Sequence, residues 1–297
     1  MGGERTSKPS VLIPFIGGLG NQLFQLCGGL FLESVKKRSI SFSDRLLTLA
    51  NHSPLERRTL MIRPLLRTGE LADYSRLYIS TATLISRFDT KRFAREVQPA
   101  DDVLWKTGST TRFILGFFQR NEYVSVVWEA LLDRMNGNSE FRSLLTTEPQ
   151  PTIVLHIRRG DYLNPKTQKF HGFTSNAYFE EACQQIIDRV KVQSITVVSD
   201  DIDGAMRQLG TSQYFSNIDV TISRDLSELQ TLRLMSSARG VVTSNSSFSW
   251  WGARLCWALN NGIVALPTPW FSESGSIDLH LHPSDERWMV IPRALEK

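Results

Sequence analysis

After residue 150, short runs rich in Val and Ile alternate with stretches whose apolar residues recur at helical spacing. That alternation limits the fold more than any other feature of the chain. The runs at 152–157, 194–198, 218–222, 240–243 and 263–266 read as strands. Between them, 176–190, 203–209, 225–237 and 247–259 read as helices, with Ala182, Ile186 and Val190 four apart on one face. Apolar strands separated by helices belong to a parallel sheet covered on both faces. The fold class is α/β.

The start of the chain repeats the pattern. An apolar run, VLIPFI at 11–16, ends at Gly17-Gly18. Residues 21–37 then set Leu23, Leu26, Leu30 and Val35 near one helical face, and 39–42 reads as a second strand. A further strand is expected at 113–118 and a helix at 123–135. From about 45 to 110 the periodicity is poor, so short helices and long connections are expected there. At about 150 residues per domain, 297 residues suggest two domains. The polar TTEPQP at 146–151 is the best linker, giving domains at 1–148 and 149–297. Two Rossmann-like domains facing a cleft are the expected architecture.

Composition removes several classes of function. Hydrophobic residues make 41% and charged residues 22%, ordinary for a globular chain and far from disorder. A net charge of +4 is too small to argue for nucleic acid. The charge is uneven: residues 1–150 hold 20 basic and 15 acidic side chains, and residues 151–297 hold 14 and 15. The basic first half suits either an anionic membrane surface or plain solvent. Cys27, Cys183 and Cys256 are too widely spaced for a metal knuckle and read as buried thiols in a reducing compartment. MGGERTSKPS has no apolar signal core, and no run of about 18 apolar residues occurs. A cytoplasmic protein, at most peripheral to a membrane, is expected; a Golgi lumenal domain without its anchor is the alternative.

Polar clusters sit where parallel sheets bind ligands, just past the C-terminal ends of strands. They are His156-Ile157-Arg158-Arg159-Gly160-Asp161-Tyr162, Ser199-Asp200-Asp201 and Thr243-Ser244-Asn245-Ser246-Ser247-Phe248. In the first half, Gly17-Gly18-Leu19-Gly20-Asn21-Gln22 ends the first strand and could present the Asn21 and Gln22 amides. The Ser/Asn run precedes a helix, whose unpaired N–H groups favour an anion; simple capping is the alternative. An arginine offers bidentate bonds to a diphosphate. Of the adjacent Arg158 and Arg159, one is expected to face a ligand and the other to tie the loop. Asp200 and Asp201 suit a guanine edge, ribose hydroxyls or a helix cap better than a metal. The glycine loop resembles the dinucleotide fingerprint, but Gln22 replaces its third glycine, which discounts a nicotinamide dehydrogenase.

Taken together, GGLGNQLFQ at 17–25, GFFQRNEY at 116–123, HIRRGDY at 156–162, VVSDD at 197–201, LMSSARGVVTSNSSFSWWGA at 234–253 and PWF at 269–271 resemble the α-1,2-fucosyltransferase family. The resemblance implies a GT-B glycosyltransferase that uses GDP-fucose without metal or other cofactor and inverts at the anomeric carbon. It implies a galactose-terminated acceptor and the nucleotide in the second half. Arg158 would bind the diphosphate, and His156 and Asp200 the guanosine. Ser246, Ser247 and Phe248 would line the phosphate and base site. Asn21 would face the reacting centre and Asp161 is the candidate base. Gly18, Gly20, Ser199 and Asn245 are further candidate donor contacts. Rival readings are another fucosyl linkage, α-1,6 or protein O-fucosyl, and a non-catalytic binding protein of the same fold.

Overall fold

The computed structural model describes residues 10–47, 59–96, 102–160, 168, 171–172, 174–271 and 280–293. The chain forms two compact units, Met1–Arg134 and Met135–Lys297.

In the first unit, β1 (Val11–Pro14) leads through a glycine turn into α1 (Leu19–Ser34) and returns as β2 (Ile40–Ser43). Helix α2 (Arg76–Ile85), β3 (Phe93–Arg95) and β4 (Phe113–Leu115) follow, then α3 (Asn121–Val126) and α4 (Trp128–Asn136). The four strands are parallel in the order β2-β1-β4-β3. Helix α1 is buried almost all round, and Gly28 and Gly29 make that closeness possible. A Cβ on Gly28 would meet the Phe118 ring at 2.7 Å, and one on Gly29 would collide with Phe42.

The expected strand at 113–118 stops at Leu115. Glu96 Oε2 accepts the N–H groups of Phe117 (2.5 Å) and Phe118 (3.0 Å), and Phe118 adopts a left-handed φ of 55°. The carboxylate takes the donors that a longer ladder would need. The helix expected over 123–135 is two helices, α3 and α4, that meet at Val127.

The second unit adds α5 (Ser139–Arg142), β5 (Gln150–Ile157), α6 (Asn176–Ile187), β6 (Ser194–Ser199), α7 (Ile202–Leu209), α8 (Gln213–Ser216) and β7 (Val220–Ile222). It continues with α9 (Glu228–Ser237), β8 (Ala238–Val242), α10 (Ser247–Asn260), β9 (Ile263–Thr268) and β10 (Trp288–Pro292). All six strands are parallel, in the order β10-β9-β8-β5-β6-β7. Numbered within the unit this is the 3-2-1-4-5-6 order of a Rossmann sheet. Both units are therefore α/β, as the alternation predicts, and β10 extends the sheet beyond the expected strands.

Several boundaries differ for identifiable reasons. The division between units falls before 148, because the segment after α4 is bonded to the second unit: Ser236 Oγ donates to the Leu144 carbonyl at 3.0 Å. The expected linker ends in Gln150 and Pro151, which open β5. Helix α9 starts at Glu228 rather than 225, since Ser227 and Gln230 close a reciprocal capping box and Asp225 has φ 57°. On one face of the sheet, Phe179, Ala182, Cys183 and Ile186 of α6 cover Ile153 and Leu155. Each such large side chain contributes about 1.5–3 kcal/mol on burial. Cys27, Cys183 and Cys256 are all buried and unbridged.

Candidate active site

In an open α/β sheet the strand order reverses at one point, and a crevice opens there beyond the strand ends. In the second unit the reversal lies between β5 and β8. His156 is the penultimate residue of β5, and Ser244 follows β8 by two residues. The His156 Nδ1 and Ser244 Oγ lie 2.9 Å apart, so one hydrogen bond spans the reversal. Both residues are buried, and Phe248 tilts its ring toward the imidazole at 5.8 Å. Burial pulls the His156 pKa down to about 4, with Asp200 opposing and Arg158 adding to the fall. At neutral pH the ring is uncharged and serves as a hydrogen-bonding group rather than a proton carrier.

Two arginines leave β5 and separate at once. Arg158 Nη1 pairs with Asp200 Oδ2 at 2.8 Å, and both side chains remain about a quarter exposed. Arg159 turns to the start of α7, where Nε bonds Asp201 Oδ2 (3.2 Å) and Nη1 bonds Gln208 Oε1 (2.8 Å). Its backbone N–H also donates to Asp200 Oδ1 at 2.9 Å. Asp201 caps α7 by accepting from the Gly204 N–H at 3.0 Å. That bond and Arg159 hold its carboxyl below the usual range. Arg159 is thus the loop tie, and Arg158 the cation beside the strand end. A Cβ on Gly160 would strike the Asp200 carboxylate, so a larger residue there would displace that carboxylate. Asp161 lies outside the described residues.

The Ser/Asn run divides its labour. Asn245 Nδ2 donates to the carbonyls of His171 (2.9 Å) and Trp270 (3.0 Å), so its side-chain amide braces those two segments. Arg293, 4% exposed, donates to the same two carbonyls and to Pro269 and Gly172. Ser249 Oγ reaches back to the carbonyls of Ser244 and Ser246, each at 3.2 Å. Ser246 opens α10 without a side-chain capping bond, and Ser247 and Phe248 are half-buried in its first turn. The N-terminal end of a 14-residue helix therefore meets the strand reversal without a capping bond from the Ser246 side chain. Ser199 Oγ accepts the Asp201 N–H at 3.0 Å and shapes the neighbouring turn. Asp200 and Asp201 each already face an arginine, and among the described residues no three metal-ligating side chains gather.

The first unit has its own reversal, between β1 and β4. Gly17 turns with φ 79°, Gly18 is the N-cap of α1, and Gly20 is buried in its first turn. Asn21 Oδ1 accepts from Gln119 Nε2 at 2.8 Å, so an amide pair again spans the reversal. Gln22 does not present its amide: it is fully buried, donating to Gly17 and Thr59 carbonyls and accepting from the Met61 N–H. Gln25 likewise joins Ile16 to Gly116. Sequence reasoning takes Ser244 only as a member of the Ser/Asn run and Gln119 only as part of GFFQRNEY, and singles out neither. Only their places just past strands β8 and β4 could have marked them.

Comparison with known proteins identifies the family. The family model for glycosyl transferase family 11 matches residues 30–274. An α-1,2-colitosyltransferase of Escherichia coli is 28% identical over 308 residues, 95% of this chain and 99% of that protein. The O-antigen biosynthesis glycosyltransferase WbnK of Escherichia coli is 34% identical over 160 residues, 54% of this chain and 49% of its own. Among solved structures, a mutant of Arabidopsis thaliana FUT1 in complex with GDP superposes with a TM-score of 0.46 at 10% identity, covering 89% of this chain and 71% of that one. With the family model spanning most of both units, the chain belongs to glycosyl transferase family 11 and is a glycosyltransferase built from two Rossmann-like α/β units.

Proposed function

We propose that the chain transfers L-fucose from GDP-fucose to the 2-hydroxyl of a terminal galactose, with inversion and without a metal. The observation that carries the donor half of this reading is the cluster of His156, Arg158, Asp200 and Ser244 at the reversal of the second sheet. The nucleotide's diphosphate takes Arg158 and the open end of α10, with Ser246 and Ser247 adding hydroxyls. Asp200, released from Arg158, accepts from the guanine edge or the ribose, beside neutral His156 and the face of Phe248. The acceptor binds the first unit, with the Asn21–Gln119 pair orienting its hydroxyl.

In the reaction the acceptor oxygen bonds to the fucose anomeric carbon as the bond to the GDP oxygen breaks. Negative charge grows on the leaving diphosphate, where Arg158 and the helix end oppose it. The hydroxyl proton passes to a base, for which Asp161 is the candidate. Asp161→Asn should lose turnover while GDP affinity stays; loss of GDP affinity with it would give Asp161 a structural role instead.

A second reading is favoured by the colitosyltransferase relative. Colitose is fucose without its 3-hydroxyl, so one oxygen separates the two donors. A site that hydrogen-bonds that hydroxyl rejects the deoxy sugar by about 10⁴-fold or more, whereas an apolar site rejects the extra hydroxyl by only about 10². Comparing kcat/KM for GDP-fucose and GDP-colitose, with linkage analysis of the product, therefore decides the donor. A preference for GDP-colitose overturns the fucose assignment. Release of neither GDP nor product from either donor overturns both.

A further inference from the structure

Helix α2 presents apolar side chains where a surface helix ordinarily carries polar ones. Its inward face holds Ile79 and Ala82, which join Leu12, Phe113 and Leu115 in the core of the first unit. Its outward face carries Leu77, Leu84 and Phe88, exposed at 78%, 55% and 82%. The Phe88 N–H still bonds the Ile85 carbonyl, so the helical turn runs on through this residue. At 3.6 residues per turn these three positions fall within roughly 40° of one another, opposite the buried face. They form a stripe rather than a scatter.

The charge around the stripe is mostly positive. Between residues 75 and 95, Arg76, Arg87, Lys91, Arg92 and Arg95 accompany a single acid, Asp89. The Asp89 carboxylate is engaged locally, accepting the backbone N–H groups of Lys91 (3.2 Å) and Arg92 (3.1 Å). None of the five cations forms an ion pair among the described residues. Arg76 opens α2 and Arg87 follows its last turn; both are exposed and lie roughly 60–100° round the helix from the stripe.

We propose that this face of the first unit docks on a bilayer containing anionic lipid. Leu77, Leu84 and Phe88 enter the acyl boundary, and Arg76 and Arg87 take phosphate headgroups. An apolar stripe flanked by unpaired cations is what an interfacial helix requires. Charge selects this occupant: a second copy of the chain would bring the same cations against the patch and repel it. The proposal does not depend on which sugar is transferred.

The test is co-sedimentation of the full chain with vesicles of phosphatidylcholine alone and of phosphatidylcholine mixed with phosphatidylglycerol. Binding is expected to the mixed vesicles, at least tenfold above phosphatidylcholine alone, and to weaken as salt rises. Each basic side chain at such a surface is worth about 1 kcal/mol, or about fivefold, so Arg76→Gln with Arg87→Gln should lower partitioning about 25-fold. Leu84→Ser with Phe88→Ser should also release the protein while leaving its thermal unfolding and its turnover on a soluble acceptor unchanged. Equal binding to both vesicles, no binding, or binding indifferent to salt overturns the proposal. So does a dimer that Phe88→Ser dissolves in a protein that ignores vesicles.

Discussion

Burial of His156 as a neutral ring makes stability depend on pH in a calculable way. The unfolded chain takes up a proton at this position near the ordinary value of 6.5, whereas the folded chain resists until about 4. Between those values the unfolded state holds more protons, so stability rises with pH through the window and is complete above about 6.5. Acidification from neutral pH toward 4 removes it. A gap of about two and a half pK units, at 1.36 kcal/mol each, sets a limit of about 3 kcal/mol. By pH 4.5 most of that is gone. For a unit of this size, it corresponds to roughly 5–10 °C in Tm.

The perturbation is His156→Asn, which keeps a polar atom near the Nδ1 position facing Ser244 and removes the titration. Urea unfolding followed by tryptophan fluorescence suits the question. Five of the seven tryptophans (Trp250, Trp251, Trp257, Trp270 and Trp288) lie in the second unit, so the signal reports the unit that contains His156. The variant should be less stable than the parent at pH 7.5. Its loss between pH 7.5 and 4.5 should nevertheless be smaller by about 2–3 kcal/mol. Carboxylates such as Asp201 protonate in both proteins and cancel from the comparison. If the two proteins lose stability in parallel, His156 is not held neutral by the fold, and its treatment as an uncharged ligand falls.

Other consequences are open to equally direct measurement. Arg158→Ala should lower kcat by about a hundredfold or more, the usual effect of removing one electrostatic donor to developing charge. Arg159→Ala should instead lower Tm, because it frees Asp201 and Gln208, and should reduce turnover less; a reversed order of effects would exchange the two roles. Gln119→Ala should raise KM for the acceptor while GDP release without acceptor is unaffected, since its partner is Asn21 in the first unit. A weakened GDP affinity would remove it from the acceptor side. Gly252→Ala drives a Cβ into Met235 between α10 and α9, so denaturant unfolding should show about 1–3 kcal/mol of destabilisation; no change would mean that Met235 swings aside.

The second half of the fold was legible because its strands are buried on both faces. Ile153, Val154 and Leu155 are fully buried in succession, and such a run has few alternatives to an interior parallel strand. The region from 45 to 110 resisted because α2 inverts the usual pattern: apolar residues on its outward face erase the 3.6-residue contrast that marks a helix. Strand β10 escaped because Trp288 follows a polar, charged stretch at the far edge of the sheet. At the site, His156, Arg158 and Asp200 were visible as polar residues directly beyond apolar strands. Gln22 was misread because its partners, Thr59 and Met61, lie more than 35 residues away, and no local pattern records a side chain that serves a distant backbone.

The half of the chain that carries the diphosphate candidates has one more acid than base, and the geometry explains why this does not weaken the proposed donor site. Arg158 is held by Asp200. Both side chains are partly exposed, and an ion pair of that kind is worth about 0–1 kcal/mol. A diphosphate offers the same guanidinium more charge and a geometry suited to two parallel bonds, each about twice as strong as a neutral one. The exchange therefore favours the ligand, and under the proposed donor reading the freed Asp200 accepts from the nucleoside beside His156. In that proposal one carboxylate orients the arginine first and then recognises the nucleoside. Asp200→Asn should accordingly weaken GDP binding, even though it removes a negative charge from beside an anion site. Tighter GDP binding by that variant would show that Asp200 only competes for Arg158 and contributes nothing to the nucleoside.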